Sequence, residues 1–200
     1  MIARKFIISD THINHEKIIE TDNRPFTDVK QMEKEIINRW NNVVTKHDDV
    51  YIVGDMFLGS AREAARVLRQ LNGNKHLIRG NHDKWLNSET KRLFNEIVDY
   101  KELRIDGNLV ILCHYPIILH RAHRRDNAIH LFGHVHTTEE EMEVLRQIKS
   151  AIKHCNSAGK AYNVCASVDY MDYTPRELDY IVQEGDKRWR YLEAKLASQH

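Results

Sequence analysis

The stretch Leu77-Ile78-Arg79-Gly80-Asn81-His82-Asp83 decides how the fold of this chain is interpreted. Aliphatic residues run into a glycine, and three side chains able to bind a metal or carry a proton follow. Open α/β sheets hold their functional groups in loops at the carboxyl ends of strands, so the stretch predicts a buried strand that ends in such a loop. By itself, Gly-Asn-His-Asp is also compatible with a polar turn, because Gly and Asn favour loops for conformational reasons. The rest of the chain decides between these interpretations.

Four other apolar runs end in similar polar residues. They lead into Asp10-Thr11-His12, Gly54-Asp55, His114 and Gly133-His134-Val135-His136. The alternation of a strand through residues 4–12 predicts that Asp10 and His12 lie on the same side and reach one cation. Each polar residue alone has a simpler interpretation: Asp10 as a turn cap, Asn81 as a turn residue, and His114 as a core histidine bonded to a carbonyl. Five coincidences at five strand ends are less plausible than one shared site, so we expect these residues to converge.

The segments between these runs favour a parallel α/β sheet, because strand and helix patterns alternate through residue 83. Capping patterns predict helices that begin at Asp28, Ser60 and Thr138. The other predicted elements are a helix over 84–95, a hairpin at Asp106-Gly107-Asn108, a strand over 162–168, a helix beginning at Thr174-Pro175 and a helical tail over 187–197. We expect residues 1–200 to form one domain.

Composition argues against several classes of protein. Thirty basic residues balance 29 acidic ones, so no global field indicates a nucleic-acid or membrane partner. A hydrophobic content of 42% with only 3 prolines argues against disorder. No apolar run approaches the roughly 20 residues of a membrane span. The three cysteines are odd in number and lack a C-x-x-C spacing, which predicts reduced thiols in a cytoplasmic protein.

The candidate ligands suit a pair of divalent cations. They are two carboxylates, four imidazoles and one amide, namely Asp10, His12, Asp55, Asn81, His114, His134 and His136. A single zinc site takes about four protein ligands, so seven groups fit two cations that share a bridging carboxylate. Nitrogen and oxygen donors without thiolates favour Mn²⁺, with Fe, Zn²⁺ or Ni²⁺ as alternatives, over Cu(I) or an iron–sulfur cluster. Two cations about 3.5–4 Å apart form a clamp for in-line displacement at phosphorus.

The order of these motifs resembles that of the calcineurin-like metallophosphoesterase superfamily. The resemblance spans residues 4 to about 170, and its five blocks in the same order make it highly specific. It implies an α/β fold of two packed mixed β-sheets flanked by helices, a four-layer sandwich with the metals at the strand ends. One metal would be held by Asp10, His12, Asp55 and His136, and the other by Asp55, Asn81, His114 and His134. Asp55 would be the bridge, and His82 would be the acid beside the leaving group.

This chain departs from the family pattern at two positions, which indicate the branch of the superfamily that it resembles. The protein Ser/Thr phosphatases follow their Gly-Asp with further Asp and Arg-Gly residues, whereas this chain has Met56-Phe57-Leu58-Gly59. The usual glycine before the single histidine is Cys113, a change that we expect the site to tolerate. Ser9-Asp10-Thr11-His12-Ile13-Asn14-His15 and Asn23-Arg24-Pro25-Phe26 are similar to segments of short bacterial and phage phosphoesterases. The departure at Met56-Phe57-Leu58-Gly59 counts against a phosphoprotein phosphatase or a close diadenosine-polyphosphate hydrolase of that branch.

The expected reaction is hydrolysis of a phosphate ester by in-line attack of a hydroxide that bridges the metals, with His82 protonating the leaving oxygen. We expect the substrate to be a small nucleotide-like phosphodiester, because the sequence shows no obvious arginine pair for a dianionic monoester. The suggested substrate contacts are His15, Arg24, Arg121 and Arg124. A solvated basic loop over 120–125 is the simpler interpretation of the last two.

The sequence is also compatible with functions other than that of a phosphodiesterase. Within the superfamily the alternatives are a phosphomonoesterase and a nuclease, although no basic stripe interleaved with aromatics supports a nuclease. An alternative from another class is a metal-dependent scaffold that anchors a partner without turnover. His82 argues against the scaffold, because a protein that only binds has no need of an acid.

Overall fold

The strands of this chain form two mixed sheets with helices packed against them. The computed structural model describes residues 3–198. The strands are β1 (Lys5–Ile8), β2 (Asp49–Ile52), β3 (Asn74–Ile78), β4 (Glu96–Val98), β5 (Lys101–Ile105), β6 (Asn108–Leu112), β7 (Ala128–Phe132), β8 (Ala161–Asn163) and β9 (Arg176–Glu177). The helices are α1 (Glu16–Thr21), α2 (Val29–Val43), α3 (Ala61–Leu68), α4 (Ser88–Lys91), α5 (Glu139–Cys155) and α6 (Leu178–Ala197).

The first sheet has the strand order β4-β3-β2-β1-β9. Strands β1 to β4 run parallel, and β9 pairs with β1 in the antiparallel direction. The second sheet has the order β5-β6-β7-β8, in which β5 and β6 form an antiparallel hairpin and β6 to β8 run parallel. The predicted class, an α/β fold of two mixed sheets flanked by helices, is confirmed.

The two sheets meet just beyond the end of β1. The backbone N–H of Ser9 donates to the carbonyl of Val164 over 2.9 Å, and the N–H of Ala166 donates to the carbonyl of Ser9 over 2.7 Å. Ser9 and Cys165 thereby form a parallel bridge between the extension of β1 and that of β8. Because parallel strands end at the same edge, this bridge brings the exits of β1, β2 and β3 close to those of β6 and β7.

Apolar residues of both sheets and of α2 belong to one core. The fully buried members include Ile52, Leu77, Val110, Leu112, Leu131, Met32, Ile36 and Trp40. The indole Nε1 of Trp40 donates to the carbonyl of Asn72 over 3.0 Å, so its one polar atom is satisfied. Helix α5 covers the outer face of the second sheet, where Val144 and Ile148 pack with Phe132 of β7.

The three helix starts predicted at Asp28, Ser60 and Thr138 are present. The Asp28 carboxylate accepts from the backbone N–H groups of Lys30 and Gln31, at 2.8 and 2.9 Å. Ser60 forms a reciprocal capping box with Glu63, and the Thr138 side chain caps α5. In each case a short polar side chain satisfies N–H groups that have no partner within the helix.

Several predicted boundaries are wrong. The helix expected over 84–95 is only a 3₁₀ turn at Asp83–Trp85 followed by the one-turn α4, and the strand expected over 162–168 ends at Asn163. The helix expected at Thr174 begins at Leu178, because the two preceding residues pair with β1 as β9. Helix α1 was not predicted. Tertiary pairing has overridden the local signal of Pro175, as it often does for short segments.

Two further sequence features have a clear outcome. The three cysteines are free. Cys113 does not adopt a left-handed backbone, so the glycine that it replaces is not required there for conformational reasons. Within residues 3–198, no helix combines the length and the apolar content that a membrane span requires.

Candidate metal centre

The predicted ligands lie in loops that follow β1, β2, β3, β6 and β7. The expectation that strand alternation aligns Asp10 with His12 is wrong, because β1 ends at Ile8 and both residues have positive φ, at 52° and 47°. Three other predicted ligands, Asp55, His134 and His136, also have positive φ. A left-handed backbone at a residue other than glycine costs on the order of 1–3 kcal/mol. The surrounding contacts must therefore hold these loops in place.

Glycines allow the loops to approach one another closely. A Cβ atom added at Gly133 would lie 2.1 Å from both Asp10 Oδ2 and Ser9 Oγ. A Cβ atom added at Gly80 would lie 2.1 Å from Asp55 Oδ1. Neither position requires positive φ, so the need for glycine here is one of space.

One group of possible ligands consists of Asp10, His12 and His136. Asp10 Oδ1 lies 3.6 Å from His12 Nε2 and 3.5 Å from His136 Nε2. Ligand atoms that surround a cation at about 2.1 Å lie roughly 3–3.5 Å from one another, so this spacing is close to that of a coordination shell. Asp10 and His12 are buried, and His136 is mostly buried.

A second group consists of Asp55, His114 and His134, and Asn81 lies beside it. His114 Nε2 lies 3.3 Å from Asp55 Oδ2 and 3.2 Å from Asn81 Oδ1. Asp55 Oδ2 is also 3.8 Å from His12 Nε2 of the first group. The other oxygen, Asp55 Oδ1, accepts the backbone N–H of His82 over 2.8 Å. Asp55 therefore presents one free oxygen between the two groups, which is where a bridging ligand would lie.

Two buried atoms of the first group lack a hydrogen bond. Among the described residues, Asp10 Oδ1 and His12 Nε2 are buried without a partner, and the 3.6 Å between them is too long for a hydrogen bond. Leaving a buried polar atom unpaired costs about 1–3 kcal/mol. A cation between them would satisfy both atoms, so the residues present fit a metal site.

The charges of the site also favour a cation. Burial alone would raise the pKa of Asp10, but the neighbouring imidazoles outweigh burial and hold that pKa well below its usual range. Burial alone would lower the pKa of His114, but the Asp55 and Asp10 carboxylates raise it to about 9. The carboxylates thus attract positive charge to this position, and a bound divalent cation would take the place of the proton on His114.

Hydrogen bonds fix which ring nitrogen each histidine presents. His114 Nδ1–H donates to the carbonyl of Val53 over 2.9 Å, which leaves Nε2 facing Asp55. His12 Nδ1 lies 3.3 Å from His15 Nδ1, so a proton shared between these atoms leaves His12 Nε2 free. Outer partners of this kind set the tautomer and orientation of metal-binding histidines.

The second oxygen of Asp10 is also held from outside the group. Asp10 Oδ2 accepts hydrogen bonds from Ser9 Oγ, from the backbone N–H of His134 at 3.1 Å and from Cys165 Sγ at 3.2 Å. With Oδ2 occupied by three donors, Oδ1 is the oxygen available to a metal.

His82 and Tyr115 are partly exposed at the open side of the ligand groups, and we call this side the cleft. The His82 side chain is 41% exposed, and its Nε2 lies 4.0 Å from Asp55 Oδ2. The rings of His12 and His15 are 5.4 and 6.2 Å from the His82 ring, between centroids. Burial, together with the smaller effect of the charges of His12 and His82, lowers the pKa of His15 to about 4. Two imidazoles thus face the cleft without belonging to either ligand group.

Asp83 joins two of the loops. Its carboxylate accepts backbone N–H groups from Asp55 at 3.0 Å, Met56 at 3.1 Å and Gly80 at 2.8 Å. Burial raises the pKa of Asp83 to about 6, although these N–H donors oppose that rise. The sequence left open whether Asp83 orients His82 or caps a helix. Its carboxylate instead links the loop after β2 to the loop after β3.

The structure corrects the expected position of Arg24. The Arg24 side chain is fully buried, and its guanidinium donates to the carbonyls of Asp10 and Thr11 over 2.8 and 2.7 Å. It also pairs with Asp22, at 3.0 Å from Nε to Oδ2. Arg24 therefore lies behind the ligand loop, where it cannot reach a substrate in the cleft.

The basic loop is not brought to the site either. Arg121 is 71% exposed and forms an ion pair with Glu102 on the edge strand β5. Arg124 lies between His123, whose carbonyl accepts from Ala158 N–H, and Arg125, whose carbonyl accepts from the first residue of β7. The loop meets the first residue of β7, whereas the ligand His134 follows the last one. At ~3.3 Å per residue the two ends of this five-residue strand are about 16 Å apart. Of the four expected substrate contacts, only His15 is near the ligand groups.

The position of Tyr115 beside the ligands could not be predicted from the sequence. This residue directly follows His114 and is 46% exposed. Its ring centroid lies 4.8 Å from that of His134 and 5.1 Å from that of His114. An exposed aromatic ring beside the ligand groups offers a surface on which a planar part of a substrate can stack.

The chain matches one protein family and is similar to several known proteins. The family model described as the calcineurin-like phosphoesterase superfamily domain matches residues 4–159. The uncharacterized protein MJ1445 of Methanocaldococcus jannaschii is 35% identical over 190 residues, which cover 94% of each chain. The Gene 66 protein of Mycobacterium phage D29 is 31% identical over 162 residues, which cover 68% of this chain and 80% of the phage protein. The crystal structure of AQ665 from Aquifex aeolicus, a protein of unknown function, matches with a TM-score of 0.66 at 27% identity, covering 92% of this chain and 100% of that one.

Proposed function

Because this chain belongs to the calcineurin-like phosphoesterase superfamily, we propose that it is a dimetal-dependent hydrolase of phosphodiesters of nucleotide type. The proposed dependence on two metals rests on one observation. Asp55 Oδ2 lies 3.8 Å from His12 Nε2 and 3.3 Å from His114 Nε2, so one carboxylate oxygen faces both Asp/His groups. This arrangement supports two adjacent divalent cations, with Mn²⁺ the first candidate from the donor set and Fe, Zn²⁺ or Ni²⁺ as alternatives.

The groups around the cleft favour a diester over a monoester. A dianionic monoester is typically bound by bidentate arginines. In the described part of the chain, Arg24 is buried behind the ligand loop and Arg121 is paired with Glu102. The cleft instead offers the imidazoles of His15 and His82 and the ring of Tyr115. Stacking of a base on an aromatic side chain contributes about 1–3 kcal/mol, so Tyr115 supports a substrate with a nucleobase.

Each residue then has a defined task. Two bound cations would supply charge neutralisation at the phosphate and activation of a water molecule. Asp10 and Asp55 hold their ligating oxygens in place because hydrogen bonds occupy their other oxygens. His82 is exposed beside Asp55 and donates a proton to the leaving oxygen, a contribution of about 10²–10⁴-fold in rate.

The leaving group provides the test of this assignment. A nucleoside alkoxide is a poor leaving group and needs a proton, whereas p-nitrophenolate departs largely without one. We expect Mn²⁺-loaded His82→Asn to lose about 10²–10⁴-fold in kcat on a nucleotide diester and much less on bis-p-nitrophenyl phosphate. His47→Asn is the matched control, because His47 is exposed on the turn before β2. The metal content of both variants is measured by elemental analysis.

The outcomes separate the alternatives. Equal losses on both substrates with intact metal content would contradict the role of His82 as acid. A higher kcat/KM of the wild-type protein for monoesters than for diesters would replace the diesterase with a phosphomonoesterase, and cleavage of polynucleotides in preference to small diesters would indicate a nuclease. Absence of turnover with Mn²⁺, Fe²⁺, Ni²⁺ and Zn²⁺ would favour a scaffold that only binds.

A further inference from the structure

The segment that follows α1 carries two charged side chains that are almost completely buried. Asp22 is the C-cap residue of α1, and its side chain is 3% exposed. The side chain of Arg24 is fully buried. Burial of an ion pair costs solvation free energy that the pair does not always recover, so such a pair is weak evidence of a contribution to stability. The contacts of these two residues indicate a different purpose.

Asp22 acts on one candidate metal ligand. Its Oδ2 lies 3.0 Å from His136 Nδ1 and 3.0 Å from Arg24 Nε. A carboxylate only accepts hydrogen bonds, so Nδ1 of His136 carries a proton, and in the neutral imidazole that can bind a metal Nε2 is the nitrogen without one. That Nε2 lies 3.5 Å from Asp10 Oδ1, in the first ligand group. Asp22 therefore sets both the tautomer and the direction of the His136 ring.

Arg24 contacts the backbone of the loop that carries Asp10 and His12, which belong to the same group. Its two terminal nitrogens donate to the backbone carbonyls of Asp10 and Thr11, at 2.8 and 2.7 Å. These carbonyls belong to the loop in which Asp10 has the unfavourable φ of 52°. The planar guanidinium suits two carbonyls and a carboxylate at once, a geometry that the single ammonium of lysine cannot reproduce. Arg24 thus connects the Asp10 loop to Asp22, and through Asp22 to His136.

We propose that Asp22 and Arg24 are positioning residues that hold the Asp10, His12 and His136 group in a geometry ready for a cation, while the Asp55, His114 and His134 group does not depend on them. The second group has its own support, since His114 Nδ1 donates to Val53 and Asp55 Oδ1 accepts from His82. The inference rests on the metal-binding part of the proposed function and on no step of the reaction.

Metal titration of the metal-free protein tests the proposal. Removal of an outer partner of a metal-binding histidine typically costs 10–100-fold in metal affinity. Isothermal titration with Mn²⁺, with electron paramagnetic resonance to count bound ions, should show one of two binding steps weakened 10–100-fold in Asp22→Ala. The other step should stay within about threefold of the wild type. Asp22→Asn keeps an oxygen that can accept from Nδ1–H, so it should recover part of the lost affinity.

The controls separate positioning from general loss of structure. Asp28→Ala removes another helix-terminal carboxylate of the same region, at the exposed cap of α2, and should leave both binding steps unchanged. Arg24→Lys should weaken the same single step as Asp22→Ala. Thermal unfolding without metal shows whether each variant is folded, and the comparison is made on those that are.

Several results would overturn the proposal. Wild-type affinity at both steps in Asp22→Ala is one, and equal weakening of both steps in Asp22→Asn is another. A failure of the proposed function would look different. In that case one of the two metal-binding steps would be weakened in Asp22→Ala as expected, but the wild-type protein would hydrolyse no phosphate ester. Hydrolysis with unaltered metal binding in the Asp22 variants would instead remove this inference and leave the proposed function in place.

Discussion

The buried imidazole of His130 predicts a specific dependence of folding stability on pH. His130 is fully buried in β7, where its Nδ1–H donates to the carbonyl of Ile111 over 3.1 Å and its Nε2 accepts the N–H of Ile117 over 2.9 Å. Protonation would take away the acceptor of Ile117 and place a charge in the core. Burial lowers the pKa of His130 to about 4, from an ordinary value of 6.5.

The sign and the magnitude of the pH dependence follow from this difference in the pKa of His130 between the folded and the unfolded chain. Between pH 6.5 and pH 4 the unfolded chain binds a proton that the folded chain does not bind at His130. The free energy of unfolding therefore falls as the pH is lowered through this window. For a group that titrates at about 4 when folded and 6.5 when unfolded, the loss between pH 7 and pH 5 is about 2 kcal/mol.

Urea unfolding at the two pH values measures this contribution. His130→Gln removes the titrating group, so the difference in unfolding free energy between pH 7 and pH 5 should be about 2 kcal/mol smaller than in the wild type, whatever the absolute stability of the variant. A chelator in all samples keeps metal binding out of the comparison. His47→Gln, which changes an exposed histidine, should leave the difference unaltered. The same pH dependence in His130→Gln and wild type would refute the reasoning.

Two substitutions near the cleft give further predictions. Gly133→Ala places a Cβ atom 2.1 Å from Asp10 Oδ2, so we expect loss of bound metal, measured by elemental analysis; full metal content would show that the loop can move aside. Tyr115→Ala should raise KM for a nucleobase-containing diester by roughly 5–150-fold, the equivalent of one stacked base, and leave KM for a small alkyl diester nearly unchanged. Tyr191→Ala, at an exposed tyrosine of α6, is the control for both substrates, and matched changes in the two would contradict stacking.

The convergence of the ligands could be foreseen because it depends on a strong signal. An apolar run followed by Asp, Asn or His gives both the strand and the position of the polar residue at its exit. Parallel pairing then brings the exits of neighbouring strands together. Asp55 and Asn81 are expected near each other on that ground alone, and the structure places both beside His114.

The supporting contacts could not be foreseen, because they join residues that are far apart in the sequence. A charged residue in a polar segment suggests an exposed side chain, and on that ground the sequence predicts that Arg24 reaches a substrate. Its burial depends on the carbonyls of Asp10 and Thr11, whose orientation follows from a left-handed backbone that the residue types do not reveal. His130 resembles any histidine in a strand until the N–H of Ile117 is found against its ring.

The distribution of strain and support explains why the ligand group of Asp10, His12 and His136 depends on distant parts of the chain. Each of these three residues has a left-handed backbone, which is stable only where neighbouring contacts impose it. For His136 one such contact comes from Asn163, whose Nδ2 donates to the His136 carbonyl over 2.6 Å.

Asn163 is held in turn by the helices. Its Nδ2 also donates to Glu141 of α5 over 3.0 Å, and Glu141 pairs with Arg188 of α6. Asp22 and Arg24 hold the same ligand group from the end of α1. The first ligand group thus has supporting contacts from the end of α1 and from the α5–α6 pair, so substitutions at these contacts should act on the geometry of the site as well as on stability.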